Sequence, residues 1–249
     1  MGVSRVDEEL FRQAVLRAAG RPADFAGIGT LAECDLHRAL KYYFEPDETR
    51  HEVKLGRYVA DILNGRGVVE IQTRGVYKIR EKLEALLQEH TVTLVYPVAQ
   101  VKWLLWADPQ TGEVTKRRRS PKTGTGFDAL WELSGIAPLL SHPGLSVCVC
   151  LLELEEYRAL NGWSRDRKKG STRLNRVPVS LCGQIMLCDA SDFAVFAPDT
   201  LPSPFTVKDY RALTRLSARR AGDAVRLLRE LQVIRRVGKA GNAFLYERA

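Results

Sequence analysis

The sequence predicts an α/β protein: a mixed sheet flanked by helices, followed by a small C-terminal unit of two helices and a β-hairpin. Three observations carry that expectation. A helical pattern opened by Thr30-Leu31-Ala32-Glu33 leads into two β-branched strands joined by Asn64-Gly65-Arg66-Gly67. The continuous apolar run Thr91 to Val98 reads as a strand covered on both faces. Near the C-terminus two further helical patterns end in a hairpin around Gly238 to Asn242.

Taken in order, residues 1–19 place Leu10, Phe11, Val15 and Leu16 near helical spacing. This opening is an amphipathic helix pattern and lacks the apolar core of a signal peptide. Arg21-Pro22 and Gly27-Ile28-Gly29 break it. Thr30 caps a second helix, Leu31 to Phe44, and Thr-x-x-Glu is a capping box with Glu33 at its third position. Glu33 and His37 lie one turn apart on one face of that helix. Glu45-Pro46-Asp47 ends it, and His51-Glu52-Val53-Lys54-Leu55 alternates as a strand; Glu52 is a candidate supporting carboxylate, though the alternation alone accounts for it.

The stretch Arg57 to Arg74 organises the rest. Tyr58 to Leu63 is one strand and Val68 to Thr73 its return. Each holds a carboxylate inside an apolar run, Asp61 between Ala60 and Ile62, Glu70 between Val69 and Ile71. A charge placed so is costly to desolvate without a compensating partner. Glu70 and Gln72, two apart, leave the same face of the strand. With Asp61 on that face, two carboxylates and an amide converge, and hard anionic oxygens of that kind suit Mg²⁺ or Mn²⁺. Neutralising Asp61 would then relieve repulsion between the carboxylates.

Asp61 followed by Glu70-Ile71-Gln72 on the next strand resembles the PD-(D/E)xK nuclease superfamily, in its ExQ variant, where Gln stands in place of the usual Lys. The resemblance implies a restriction-endonuclease-like mixed sheet core flanked by helices and metal-dependent hydrolysis of DNA. It implies Asp61 and Glu70 as Mg²⁺ (or Mn²⁺) ligands, and Glu33, Asp61, Glu70 and Gln72 as the catalytic set. The capping box explains Glu33 equally well. Gln72 can orient a water but carries no charge, so a cation must come from elsewhere, with Arg74, Lys78 and Lys116 to Lys122 as candidates.

After Gln72, Val76 to His90 reads as a helix with Ile79, Leu83, Leu86 and Leu87 on one stripe. With Thr91 to Val98 following, the order helix, strand, strand, strand, helix, strand over residues 31–98 is the one the resemblance implies. Val101 to Trp106 reads as one more strand. Two basic stretches then stand out. Lys116, Arg117, Arg118, Arg119 and Lys122 fall within seven residues between turn signals, which suggests a mobile loop. Arg165 to Arg173, including Arg167, Lys168 and Lys169, looks similar. Both suit contact with a phosphate backbone. Phe127 to Leu133 reads as a helix, Leu145 to Leu154 as a buried strand, and Val177 to Leu187 as strand or helix.

Pro202-Ser203-Pro204 marks a linker. Thr206 caps a helix to Leu213, and Ala218 to Leu231 forms another. Val233 to Val237 pairs with Ala243 to Tyr246. This arrangement resembles a winged helix-turn-helix, with Ser191 to Ala197 as the candidate first helix, and implies DNA binding through Arg219, Arg220, Arg226 and Lys239. Residues 205–249 hold eleven Lys/Arg against four acids, nearly all of the chain's net +8, whereas residues 1–115 come to −2. The charge is thus segregated and points to a polyanion.

The expected division is 1–107 as the nuclease-like core, 108–201 as a middle α/β segment and 202–249 as the winged helix. No apolar run approaches the ~18 residues of a membrane span. Five cysteines without a C-x-x-C argue against a disulfide framework or zinc cluster and for a reducing cytoplasm. The function expected is a metal-dependent DNA endonuclease. The alternative is a non-enzymatic DNA-binding or regulatory protein built on a degenerate nuclease fold, and a homodimer is open to either.

Overall fold

The computed structural model describes residues 6–19, 34–108, 113–163 and 169–249, with side chains throughout except at 34–35, 160–163 and 169–171. Two helices come first, α1 (Glu8–Ala19) and α2 (Cys34–Phe44), then strands β1 (His51–Leu55), β2 (Tyr58–Asn64) and β3 (Gly67–Ile71). The turn between β2 and β3 needs a glycine: Gly67 adopts φ 111°, and a Cβ there would collide with Thr91. A single 3₁₀ turn, Val76–Ile79, leads into α3 (Arg80–Leu86), so the helical pattern expected to His90 is shorter and partly tightened.

One strand, β4 (Val92–Ala107), covers both the expected Thr91–Val98 strand and the expected separate strand from Val101. A register shift between Ala99 and Val101 lets the strand continue past the point where the alternation changes phase. Pro97 is tolerated in mid-strand because β3 ends at Ile71, opposite Val95, leaving no neighbour for an N–H on that side. Of the basic stretch expected as a mobile loop, Arg118–Arg119 form a short strand, β5, on this same edge of β4. The short helix α4 (Leu130–Leu133) precedes two long strands, β6 (Leu145–Trp163) and β7 (Lys169–Leu187), so Val177 to Leu187 is strand.

These seven strands form one mixed sheet in the order β1-β2-β3-β4-β6-β7, with β5 beside β4. β3, β4 and β6 are parallel and the other pairs antiparallel. Helices cover both faces. On one, Phe11 of α1 and Leu36 and Leu40 of α2 pack against Ile62, Val69, Ile71, Val95, Cys148 and Leu152. On the other, Leu83 of α3 and Leu130 and Leu133 of α4 pack against Val68, Leu94, Val147 and Val149.

The C-terminal elements are α5 (Val207–Thr214), α6 (Ala218–Glu230), β8 (Ile234–Ala240) and β9 (Ala243–Arg248). Thr206 caps α5 in a reciprocal capping box with Asp209. Ser191 to Ala197, the candidate first helix, is instead a 3₁₀ segment, Ala190–Phe196, that lends Phe193 and Phe196 to the core. Phe205, Tyr210, Ala224, Leu227 and Leu228 join the same apolar cluster as α3 and α4, so this segment is built onto the sheet domain. Among the described residues Cys148, Cys150, Cys182 and Cys188 are free thiols, and no helix is long and apolar enough to cross a membrane.

Candidate functional site

The central hairpin opens where β3 ends, and the opening forms a cavity of about 420 Å³. His37, Arg38 and Lys41 of α2 line one side. Glu52 of β1, Asp61 of β2 and Ile71, Gln72 and Thr73 line the other. The spacing of four along α2 that puts His37 and Lys41 on one face is ordinary helix geometry. What brings Glu52 into the cavity is less ordinary. It adopts φ 53° inside β1, a left-handed conformation that costs a non-glycine residue roughly 1–2 kcal/mol. Its Oε1 accepts from Lys41 Nζ at 2.7 Å, and Lys41 is itself buried. Non-glycine residues held in such conformations cluster at functional sites.

Asp61 is the centre of the polar network. Its Oδ2 accepts from the Ile71 backbone N–H at 2.7 Å and lies 3.3 Å from His37 Nε2. Burial pushes the Asp61 carboxyl up. His37, the Ile71 N–H and the charge of Lys82 outweigh it and hold the group below the usual aspartate range. Glu70 sits differently. Its side chain is fully buried: Oε1 accepts from the Asp61 backbone N–H at 3.3 Å and Oε2 from Lys82 Nζ at 2.6 Å. Lys82, on α3, also donates to the Val59 carbonyl at 2.6 Å. Burial first and the Asp61 charge second push the Glu70 carboxyl above its ordinary range, against the pull of Lys82.

The expected convergence is therefore divided. Asp61 and Gln72 line the cavity, while Glu70 lies behind it, engaged through both oxygens. The two carboxylates still interact, but the repulsion falls on Glu70. For Asp61 the charged form is favoured in the fold, so its contribution to stability is present above the pKa of an unfolded aspartate. It is lost as pH falls through the lower folded value. Asp61→Asn should accordingly lower the melting temperature of the metal-free protein at neutral pH, not raise it. The gap to wild type should close in acid, as a pH series of thermal melts would show.

Glu33 lies outside the described residues, as do Arg167 and Lys168; Lys169 begins β7, its side chain not described. Of the remaining basic residues, Lys116, Arg118 and Arg119 are exposed. Arg117 is exposed too, but lies over the Trp103 ring and pairs with Glu153 and Glu155, both at 3.1 Å. Lys122 and Arg220 reach the same Asp128, at 3.2 and 2.8 Å. That shared carboxylate joins the basic stretch to α6 beside a cavity of about 940 Å³. Arg219 lies over Trp131, Arg226 pairs with Asp223, and Lys239 lies over Phe244. The sequence did not single out Lys41, Arg38 or Lys82, and it offered Glu52 as a supporting carboxylate while preferring strand alternation. A helical i, i+4 link from His37 to Lys41 was the one available signal. Lys82 is fixed by tertiary packing alone.

Among the described residues no group of three or more His, Cys, Asp or Glu side chains is placed to hold a metal ion. The lining residues with side-chain oxygens are Asp61, Glu52, Gln72 and Thr73, and Ile71 lines the cavity beside them.

Comparison with known proteins gives a family and one relative. An uncharacterized protein of Treponema pallidum (strain Nichols) is 34% identical over 150 residues. The match covers 60% of this chain and 57% of the relative, so the chain spans little more than half of that protein's length. No solved structure matches. The family model described as a domain of unknown function, DUF8091, matches residues 34–188, which include the whole sheet and every residue of the Asp61 cavity. The chain belongs to the DUF8091 family.

Proposed function

We propose that the protein is a Mg²⁺- or Mn²⁺-dependent DNA endonuclease, with a nuclease-like sheet core and a basic winged helix formed by α5, α6 and the β8–β9 hairpin. The observation that carries this reading is the Asp61 cavity. A half-buried acidic side chain held below the usual aspartate range, a neighbouring amide and a second carboxylate surround one opening at the end of a parallel strand. The donor set fits a hard divalent cation, which takes one or two carboxylates, carbonyl oxygen and water. Asp61, the Ile71 carbonyl and Glu52 would hold it, and Glu70 would join by exchanging Lys82 for the cation. When bound, the cation polarises the scissile phosphate and lowers the pKa of a water.

The chain's own groups have separate tasks. His37 and the Ile71 N–H fix the Asp61 carboxylate in one orientation. Gln72 offers an amide to orient the attacking water. Lys41, on the cavity wall, supplies the positive charge that Gln72 lacks, a part the sequence had left among Arg74, Lys78 and the Lys116–Lys122 stretch. Preorganised charges of this kind are typically worth a few kcal/mol each in a transition state.

For DNA delivery, Arg219, Arg226 and Arg229 are exposed along α6, and Lys239 is exposed on β8. Truncation before α5 would strip Phe205, Tyr210 and Leu228 from the shared core. Surface substitution is the cleaner test. Arg219→Ala with Arg226→Ala should weaken duplex binding and reduce the slope of log affinity against log salt by roughly 0.9 for each phosphate that is no longer neutralised. An unchanged slope would remove α6 from the interface.

A second reading, a non-enzymatic DNA-binding protein on the same fold, is favoured by the Lys82–Glu70 ion pair and by Gln72. Titration with Mg²⁺ and Mn²⁺, followed by thermal melting and by cleavage of a labelled duplex, separates the two. Stabilisation and cleavage together, both absent in Asp61→Asn, support the endonuclease. Duplex binding with neither effect supports the alternative.

A further inference from the structure

Glu156 is the most unusually placed charge outside the Asp61 cavity. Its side chain is fully buried in β6, yet it stands in the long part of the sheet beyond the end of β3. Four cations converge on it. Arg158 Nε donates to Oε1 at 2.7 Å, and Arg173 Nε and Arg176 Nε approach Oε2 at 3.2 and 3.4 Å. Lys102 Nζ lies 3.7 Å from Oε2. They come from three adjacent strands: Arg176 is directly opposite Glu156, Arg173 opposite Arg158, and Lys102 opposite Leu154.

One carboxylate cannot neutralise Lys102, Arg173 and Arg176 together. Among the described residues Lys102, Arg173 and Arg176 meet no other acid within ion-pair distance. Both arginines reach Glu156 through Nε, which leaves the terminal nitrogens of their forks for another acceptor. All four side chains remain partly exposed. Burial and the charge of Arg176 hold the Arg173 guanidinium below its ordinary range, so a further anion would be favourable there. Arg74 also acts on Arg173, and its neighbour Thr73 lines the Asp61 cavity. Arg74, next in sequence to a residue of the Asp61 cavity, is thus near enough to act on the Glu156 cluster.

We propose that Lys102, Arg158, Arg173 and Arg176, with Glu156 as the buried carboxylate that holds them together, form a clamp for the phosphodiester backbone of a nucleic acid. The proposal rests on the nucleic-acid reading above and names where the backbone would lie. Planar guanidinium forks match phosphate geometry bidentately, and here the shared carboxylate preorganises them.

The test is binding of a labelled duplex to the full chain in EDTA, by anisotropy over a KCl series. Lys102→Gln with Arg176→Gln should weaken binding by about tenfold at fixed salt and lower the salt slope by about 2, close to one for each phosphate bound. Arg173→Lys, which keeps the charge, should retain the wild-type slope. Wild-type affinity and slope in the folded double variant would overturn the clamp. If that variant does not fold, Lys102→Gln alone is read: a slope lower by about 1 supports the clamp, and an unchanged one overturns it. Inorganic phosphate and a mononucleotide serve as competitors. Displacement of duplex by either, where KCl of equal ionic strength has no effect, would overturn the backbone assignment in favour of a small phosphate ligand. A wild type that binds without cleaving when metal is restored leaves the clamp standing and removes only the endonuclease. A wild type that binds no duplex removes both.

Discussion

Glu156→Ala should lower the melting temperature by roughly 6–20 °C, toward the lower end because the cations it leaves are partly exposed. Removing one member of a buried ion pair typically costs about 3–5 kcal/mol, because the partner charge is left uncompensated. In a chain of this size each kcal/mol shifts melting by roughly 2–4 °C. Here the loss would leave Lys102, Arg158, Arg173 and Arg176 facing one another across three strands. Burial pushes the Glu156 carboxyl up, but the surrounding cations outweigh it and keep the group below the ordinary glutamate range. Its stabilisation is therefore present at neutral pH and is lost as pH falls through that lowered value. The penalty of Glu156→Ala should shrink in acid accordingly. Glu89→Ala, at an exposed position, is the control; a Glu156→Ala shift no larger than the control's would show that the cations are compensated in some other way.

The second large effect is on catalysis. Asp61→Asn should reduce metal-dependent cleavage by on the order of 10³-fold. A metal ion contributes several kcal/mol of transition-state stabilisation, and each 1.36 kcal/mol is a factor of ten. The substitution keeps the shape of the side chain and its contact with the Ile71 N–H in one amide orientation, but removes the charge that His37 and Lys82 support. Glu70→Ala should also eliminate cleavage, and by a different route. It leaves Lys82 Nζ with the Val59 carbonyl but without its carboxylate partner, close enough to bias Asp61. Lys82→Met separates the two effects, because it frees Glu70 without removing a carboxylate. Rates of duplex cleavage for the three variants, measured with folding checked by circular dichroism, decide the matter. Asp61→Asn activity within a few-fold of wild type would contradict the assignment of Asp61.

The parts of the fold visible in the sequence are those set by local chemistry. The β2–β3 hairpin follows from Asn64 to Gly67 and β-branched flanks, and α5 from Thr206 capping with Asp209. The parts that were not visible depend on partners far away in the chain. β6 runs on past Leu154 through Glu155 and Glu156, which with Glu153 are acids that end an apolar strand by eye. They are accommodated because Arg117, Lys102, Arg173 and Arg176 reach them from other elements. β4 looked like two strands because the bulge near Gln100 changes the phase of its alternation. The same division holds at the site. Asp61 and Gln72 were legible from position on a hairpin. The withdrawal of Glu70 to Lys82, the left-handed Glu52 and the approach of Lys41 depend on how α2 and α3 pack on opposite faces of the sheet.

The most direct measurement is conversion of supercoiled plasmid to open circles by the wild type in Mn²⁺, in EDTA, and with Gln72 changed. Weak nicking that requires metal is expected from the wild type. Gln72→Lys should retain or raise it, because an ammonium would then join the same cavity. Gln72→Ala should lower it about tenfold, the effect of losing a positioned hydrogen bond of order 1.4 kcal/mol in the transition state. Wild type and Gln72→Lys both inert with Mg²⁺ and Mn²⁺, while duplex binding persists, would contradict the endonuclease and leave a DNA-binding protein.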